Sequence, residues 1–198
     1  MKDIIASLQR QESYYRELTF ELFSEEGGSE PNSTFEIKAW TDDGCTMTTE
    51  TPSSGLVQHI IVKEGKRYVW YGNDQRYRET PAEEKDRDLA QRVLTYQDVI
   101  ALPTENIVDA GHDEKNGKYC ILVEYTEESV GYLERYWIEV ESGLLVAAET
   151  RKKEDDRLIL RMTETHYEAP ISHAIKFMLP DGTVLHEIQE DSKAQKED

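Results

Sequence analysis

Short runs of alternating apolar and polar residues, cut at near-regular intervals by two-residue turns, constrain this chain more than any other feature. Residues 16–23 set Leu18, Phe20 and Leu22 against Thr19 and Glu21. Residues 34–41 set Phe35, Ile37 and Ala39 against Glu36, Lys38 and Trp40. A period of two sends successive side chains to opposite faces of a strand. Asp43-Gly44, Glu64-Gly65, Gly72-Asn73 and above all Asn116-Gly117 are turn pairs between such runs, and Asn-Gly is the strongest short hairpin signal. Further strand runs fall at 45–50, 56–63, 67–71, 75–79, 107–112, 119–125, 132–140, 144–150 and 157–167. A last pair, 174–178 and 184–188, flanks Pro180-Asp181-Gly182. Short hairpin links make neighbours in sequence neighbours in the sheet. The pattern predicts a mostly β (α+β) chain with one large antiparallel sheet, curled or closed.

The period changes in two places. Residues 2–15 place Ile4, Ile5 and Leu8 on one face of a short amphipathic helix. Residues 82–102 carry Leu89, Val93, Tyr96 and Ile100 at helical spacing, with Leu94 nearby, between Pro81 as a start and Pro103 as a stop. A length of 198 residues suits one domain. That domain is expected over 1–190, with the SKAQKED end, 191–198, as a disordered tail.

Charge and motif content exclude several function classes. A formal net charge of −18 repels a phosphate backbone. The densest basic stretch, Arg151-Lys152-Lys153, runs straight into Glu154-Asp155-Asp156. Nucleic acid is therefore not an expected partner, nor is an anionic membrane surface bound by charge. No stretch reaches the roughly 20 apolar residues of a spanning helix, and MKDIIASLQRQ lacks the apolar core of a signal peptide.

Cys45 and Cys120 form no CxxC pair. Each reads as a small apolar strand residue, with a single disulfide as the alternative. His59, His112, His166, His173 and His186 show no i, i+4 metal pair. Asp42-Asp43, Glu83-Glu84 and Asp155-Asp156 read as solvated turns or a helix start, and 113–117 lacks calcium-loop spacing. No nucleophile elbow or phosphate loop is present. No metal, cofactor or catalytic residue is expected, and the chain reads as a non-enzymatic protein.

The stretch RYWIEVESGLLVAAET, 135–150, is a hairpin with Glu-Ser-Gly at its tip and Gly143 available for positive φ. Tyr136, Ile138 and Val140 share one face, as do Leu144, Val146 and Ala148. Arg135, Trp137 and Glu139 lie opposite, then Leu145, Ala147 and Glu149. One apolar and one mixed face predict a half-buried sheet.

YWIEVESGLLVAAET resembles the Y-W-[ILV]-D/E-x-x-[ST]-G-L hairpin of the LolA-like superfamily of bacterial exported proteins. That superfamily includes lipoprotein carriers and MucB/RseB-type regulators. A short helix before the first strand, a helix interrupting the strands and Phe177–Gly182 (FMLPDG) are similar to features of that group. The resemblance implies a strongly curved sheet, an unclosed barrel, with helices on its concave side. It also implies an extracytoplasmic location, with any signal or lipid anchor outside this sequence.

The expected function is then to hold a lipid, acyl chain or lipidated peptide between sheet and helix. The alternative is an envelope docking module with a filled core that binds another protein. The candidate lining is Phe20, Leu22, Phe35, Ile37, Met47, Tyr68, Trp70, Leu94, Tyr136, Ile138, Val146, Leu158 and Leu160. Tyr and Trp offer apolar area with a polar handle, which suits either role.

Overall fold

The structure is a computed structural model and describes residues 1–24, 29–53, 55–82, 95–127 and 131–189. A short helix, α1 (Lys2–Ser7), precedes six strands: β1 (Tyr14–Leu22), β2 (Ser33–Asp42), β3 (Cys45–Pro52), β4 (Gln58–Lys63), β5 (Lys66–Tyr71) and β6 (Arg78–Pro81). A second helix, α2 (Tyr96–Ala101), and a 3-10 turn at Thr104–Asn106 lead into β7 (Ile107–Lys115), β8 (Lys118–Glu127), β9 (Tyr132–Glu139), β10 (Leu145–Lys152) and β11 (Arg157–Glu168). A closing hairpin is made of β12 (Ile175–Met178) and β13 (Val184–Ile188).

Eleven strands form one antiparallel sheet in the order β6-β5-β4-β3-β2-β1-β11-β10-β9-β8-β7, with β12-β13 as a separate ladder. The large sheet is not closed into a barrel: β6 and β7 are its edges. Every neighbouring pair in it except β1–β11 is consecutive in sequence, so the sheet is two meanders joined by their outer strands. The turns explain the meanders. Asp43 and Gly44, Glu64 and Gly65, and Asn116 and Gly117 all have positive φ, the conformation of a type I′ hairpin, whose twist matches that of its strands.

The described residues fall into two compact units. One draws on 1–10, 18–36 and 92–165, the other on 11–17, 37–91 and 166–198. In the second unit one face of β3–β5 buries Cys45, Ile61 and Tyr68 against Ile171, Phe177, Leu179 and Ile188 of the closing hairpin and its flanks. His186 meets the Asp42 carboxylate at 2.6 Å, and the Lys63 ammonium donates to the Leu185 carbonyl, pinning the hairpin at its edge.

Three sequence expectations shift. The N-terminal helix stops at Ser7 rather than 15, with Leu8 already extended, and β1 starts at Tyr14. Tyr14, Tyr15 and Arg16 are buried there, so aromatic side chains packing on a pleated surface outweigh helical periodicity. The strand expected at 75–79 forms at Arg78–Pro81 instead. The Asp74 carboxylate takes the Arg76 amide at 3.0 Å and its guanidinium, which lengthens the loop. Pro81 is the last residue of that strand.

Of the helix expected over 82–102, α2 is the described part, and Leu89, Val93 and Leu94 lie outside the described residues. Thr95 caps α2: its hydroxyl accepts the Gln97 amide at 3.2 Å, and its own amide donates to the Asp98 carboxylate at 2.7 Å. Such a reciprocal cap satisfies amides that a helix start leaves bare.

Candidate apolar site on the sheet of the first unit

The site is built on one face of β1 and β9–β11. The register pairs Met162 with Ala148 and Ala148 with Tyr136, and pairs Leu160 with Thr150 and Thr150 with Glu134. The Phe23 amide donates to the Ile159 carbonyl at 2.9 Å, and Arg161 donates to Glu21 at 2.6 Å. These contacts set Leu22 level with Leu160, and Phe20 level with Met162. Glu17 lies 3.4 Å from Lys38 across β1 and β2. The Asn32 amide donates to the Leu22 carbonyl at 2.7 Å, which sets the start of β2 beside the end of β1.

Two cross-strand rows result. The inner row, Phe20–Met162–Ala148–Tyr136, is buried throughout. The outer row runs from Leu22 through Leu160 and Thr150 to Glu134. Leu22 is 37% exposed, and Leu160, Leu158 and Phe35 are only half-buried. α1 and α2 pack on each other, each burying one apolar residue, Ile5 and Val99. The Asn106 amide reaches the Tyr125 hydroxyl at 3.4 Å, and the Asp98 charge acts on Tyr136. Both contacts put α2 and the turn after it over the β8–β9 side of this face. Apolar side chains on the β1–β11 side keep part of their surface in water.

The opposite face of the same strands covers itself. Cys120, Trp137, Val146 and Ala147 form a buried cluster, and charged side chains lie across it. The Lys115 ammonium sits 3.9 Å over the Trp137 ring and 2.9 Å from Glu149. The Trp137 indole donates to Asp113 at 2.8 Å, Arg151 donates to Glu149 at 2.9 Å, and Arg135 donates to Glu124 at 2.6 Å. Long basic side chains lay their stems on apolar surface while their heads pair. The half-buried sheet expected for 135–150 is thus a sheet buried on both sides, with every residue from Ser142 to Glu149 buried. A bulge between Leu145 and Ala147 breaks the alternation, which is why Val146 joins Ala147 and not Leu144 and Ala148.

The β9 end of the apolar face is polar. The Tyr136 hydroxyl donates to the Glu134 carboxylate. Burial, then the hydrogen bond and charge of Glu134, then the charge of Asp98 push the Tyr136 phenol above its ordinary range. It therefore stays a protonated donor.

The structure sets Phe20, Leu22, Tyr136, Ile138, Leu158 and Leu160 on one face, and Phe35 is half-buried on β2. Ile37 is buried and belongs to the second unit. Met47, Tyr68 and Trp70 belong to the second unit, in or against the cluster under the closing hairpin. Val146 faces the ion pairs, and Leu94 lies outside the described residues. Sequence reasoning missed Glu134, Thr150 and Met162, each of which lies an even number of residues from a chosen apolar position on the same strand or on its cross-strand partner.

No family model and no curated protein matches the chain. Solved structures similar to it include the following two. LprF from Mycobacterium bovis is 13% identical, with 86% of this chain and 90% of that chain covered at a TM-score of 0.40. A DUF1329 family protein from Desulfovibrio piger is 12% identical, with 87% and 92% covered at a TM-score of 0.36. At such scores neither likeness bears on what the site binds.

Among the described residues no three His, Cys, Asp or Glu side chains converge as a metal site. No described helix is long and apolar enough to cross a membrane. Cys45 and Cys120 are free and buried, and burial pushes their thiols up to about 12 and about 11, so both stay protonated. His59 stacks on Trp70 at 5.1 Å between ring centroids, and burial lowers its pKa. His112 stacks on Tyr119, also at 5.1 Å.

The β7 edge carries a device of its own. A two-residue hairpin closes on a hydrogen-bonded pair, here Lys115 and Lys118, so the amides of Ala110, His112 and Glu114 point away from the sheet. Asp109 takes the Ala110 amide and Asp113 takes the Glu114 amide, both at 2.8 Å. Natural sheets blunt exposed edges with charge against strand addition. The Asp109→Ala, Asp113→Ala double variant is expected to self-associate at concentrations where the parent protein does not. Light scattering after size exclusion reads this directly, and an unchanged mass would remove the edge-blocking role.

Proposed function

We propose that the protein holds an acyl chain or comparable lipid tail against the half-exposed apolar face of its first unit, as a non-enzymatic, extracytoplasmic binding protein. The observation that carries this reading is the contrast between the two faces of β9–β11. One is roofed by its own ion pairs, while the other, continued onto β1, leaves Leu22, Leu158 and Leu160 partly in water. Apolar area left in water costs roughly 25 cal/mol per Å², and a contiguous row of it marks a surface with an occupant. The row spans three strand spacings from Glu134 on β9 to Leu22 on β1, about 14 Å at the usual interstrand distance. That is a long, narrow shape suited to a chain.

A docking module binding a protein through its sheet edge is the other class of function. The capped amides of β7 speak against it, as does the short β6 edge ending in Pro81, since proline offers no ladder donor.

The test is uptake by the delipidated protein. Nile red fluorescence should rise on binding and fall on titration with monooleoylglycerol. Leu160→Glu puts a charge in the middle of the row at a half-buried position, so the fold should survive. It is expected to weaken Nile red binding at least about tenfold, the effect of roughly 1.4 kcal/mol. Failure of the parent protein to bind either compound would refute the reading.

A further inference from the structure

We infer that the ligand's polar end is an uncharged or cationic hydrogen-bond donor, such as a glycerol or amine head, and that carboxylate or phosphate heads are disfavoured. This rests on the proposed acyl site and specifies its ligand class.

The apolar row ends at Glu134. Its partner in the next strand is Thr150, whose own partner is Leu160. A chain lying on Leu22 and Leu160 therefore brings its head to Thr150 and Glu134. Glu134 is half-buried, and among the described residues its Oε2 accepts the Tyr136 hydroxyl while Oε1 stays available to accept. A second carboxylate, Asp98 on α2, acts on Tyr136 from the helix side. The polar end thus combines the Glu134 carboxylate with a phenol whose proton is already donated. It has acceptors to offer.

Three described cations of this region have partners of their own. Lys152 lies on the same face, paired with Tyr132 in the ladder, and its ammonium is 3.2 Å from Glu154. The Lys2 ammonium donates to the Leu102 carbonyl. Arg10 spends its guanidinium on the carbonyls of Ile5, Leu8 and Gly143 and lies 3.4 Å from the Tyr96 ring centroid. An anionic head at Glu134 would meet like charge, a juxtaposition that rejects ligands efficiently.

The experiment titrates the intact delipidated protein, loaded with Nile red, with ligands of one tail and different heads: oleylamine, monooleoylglycerol, oleyl alcohol and oleate. Each is kept below its aggregation concentration. Oleylamine and monooleoylglycerol should displace the dye at concentrations at least about tenfold lower than oleate. Glu134→Gln should bring oleate closer to oleylamine, since it removes the charge and keeps an amide oxygen as acceptor. Leu160→Glu should weaken all neutral heads together, which separates loss of the tail site from loss of head selection. Oleate equal to or tighter than the amine would overturn the inference and leave the acyl site standing. No displacement by any of the four would overturn both.

Discussion

Lys118→Met is expected to destabilise the fold by about 3 kcal/mol, because removing one partner of a buried ion pair strands the other. The Lys118 ammonium lies 2.7 Å from Glu164 and 3.1 Å from Glu139. The Glu164 side chain is 2% exposed and that of Glu139 is 11% exposed. Ser142 adds a hydrogen bond to Glu139 at 2.6 Å, and the Leu144 amide reaches the Ser142 hydroxyl at 3.3 Å. The pair of carboxylates is thereby tied to the β9–β10 turn. The ammonium itself keeps some contact with water, which places the loss at the lower end of the 3–5 kcal/mol typical of such deletions.

The effect carries a pH signature. Burial disfavours the charged ammonium, but the hydrogen bonds and charges of Glu164 and Glu139 more than offset it and raise its pKa above the ordinary lysine value. A group raised in the folded state contributes stability that is full below its unfolded pKa, about 10.4, and is lost as pH rises through the folded value. Urea unfolding of parent and variant should show a constant gap from neutral pH to about 9 and a closing gap above about 10.4. Adding Glu164→Gln to Lys118→Met should recover part of the loss. Purely additive losses would mean that the two side chains are not coupled.

Gly143→Ala is expected to cost roughly 2–3 kcal/mol for two separable reasons. Gly143 has φ +68°, a conformation in which a Cβ is strained. A Cβ there would also lie 3.0 Å from the Arg10 side chain, 3.1 Å from the Gln9 carbonyl and 3.2 Å from the Leu8 Cβ. The second reason reaches beyond the turn. Arg10 donates to the Gly143 carbonyl at 3.0 Å and to Ile5 and Leu8, so displacing it loosens α1, which lies beside α2. A thermal melt reads the first effect. Hydrogen exchange at α1 reads the second, with faster exchange expected at Ile5 and Leu8. Gly117→Ala is the control: its φ is +76° with no atom within 4 Å of the added Cβ, so it carries the strain without the collision. Equal losses at both positions would show that the contact with the N-terminal segment contributes nothing.

The hairpins were readable because everything that makes them is local. Asp43-Gly44, Glu64-Gly65 and Asn116-Gly117 favour positive φ at adjacent residues, and the flanking alternation says which side chains go together. The apolar half of the site was readable for the same reason: Phe20 and Leu22 on β1, Leu158 and Leu160 on β11, and Tyr136 and Ile138 on β9 each lie two apart on one strand. The sequence could not tell those residues from Met47, Tyr68 and Trp70, which carry the same apolar and aromatic signal but pack with the closing hairpin. Nor could it reveal the polar end, since Glu134 reads as one more exposed acidic residue in a chain with 41 of them.

Local patterning alone determined that this chain is mostly β, that its strands pair as hairpins, and which side chains share a face within each strand. The tertiary structure decided the rest. It joins the two meanders through β1 and β11, whose residues are more than 130 positions apart and carry no turn signal linking them. It places the bulge that turns Val146 to the other face, and it covers one face with ion pairs while leaving the other partly bare. The reason is physical. A turn's conformation is set by its own few residues, whereas a strand edge can pair with any other edge. Which one it meets depends on burial summed over the whole sheet.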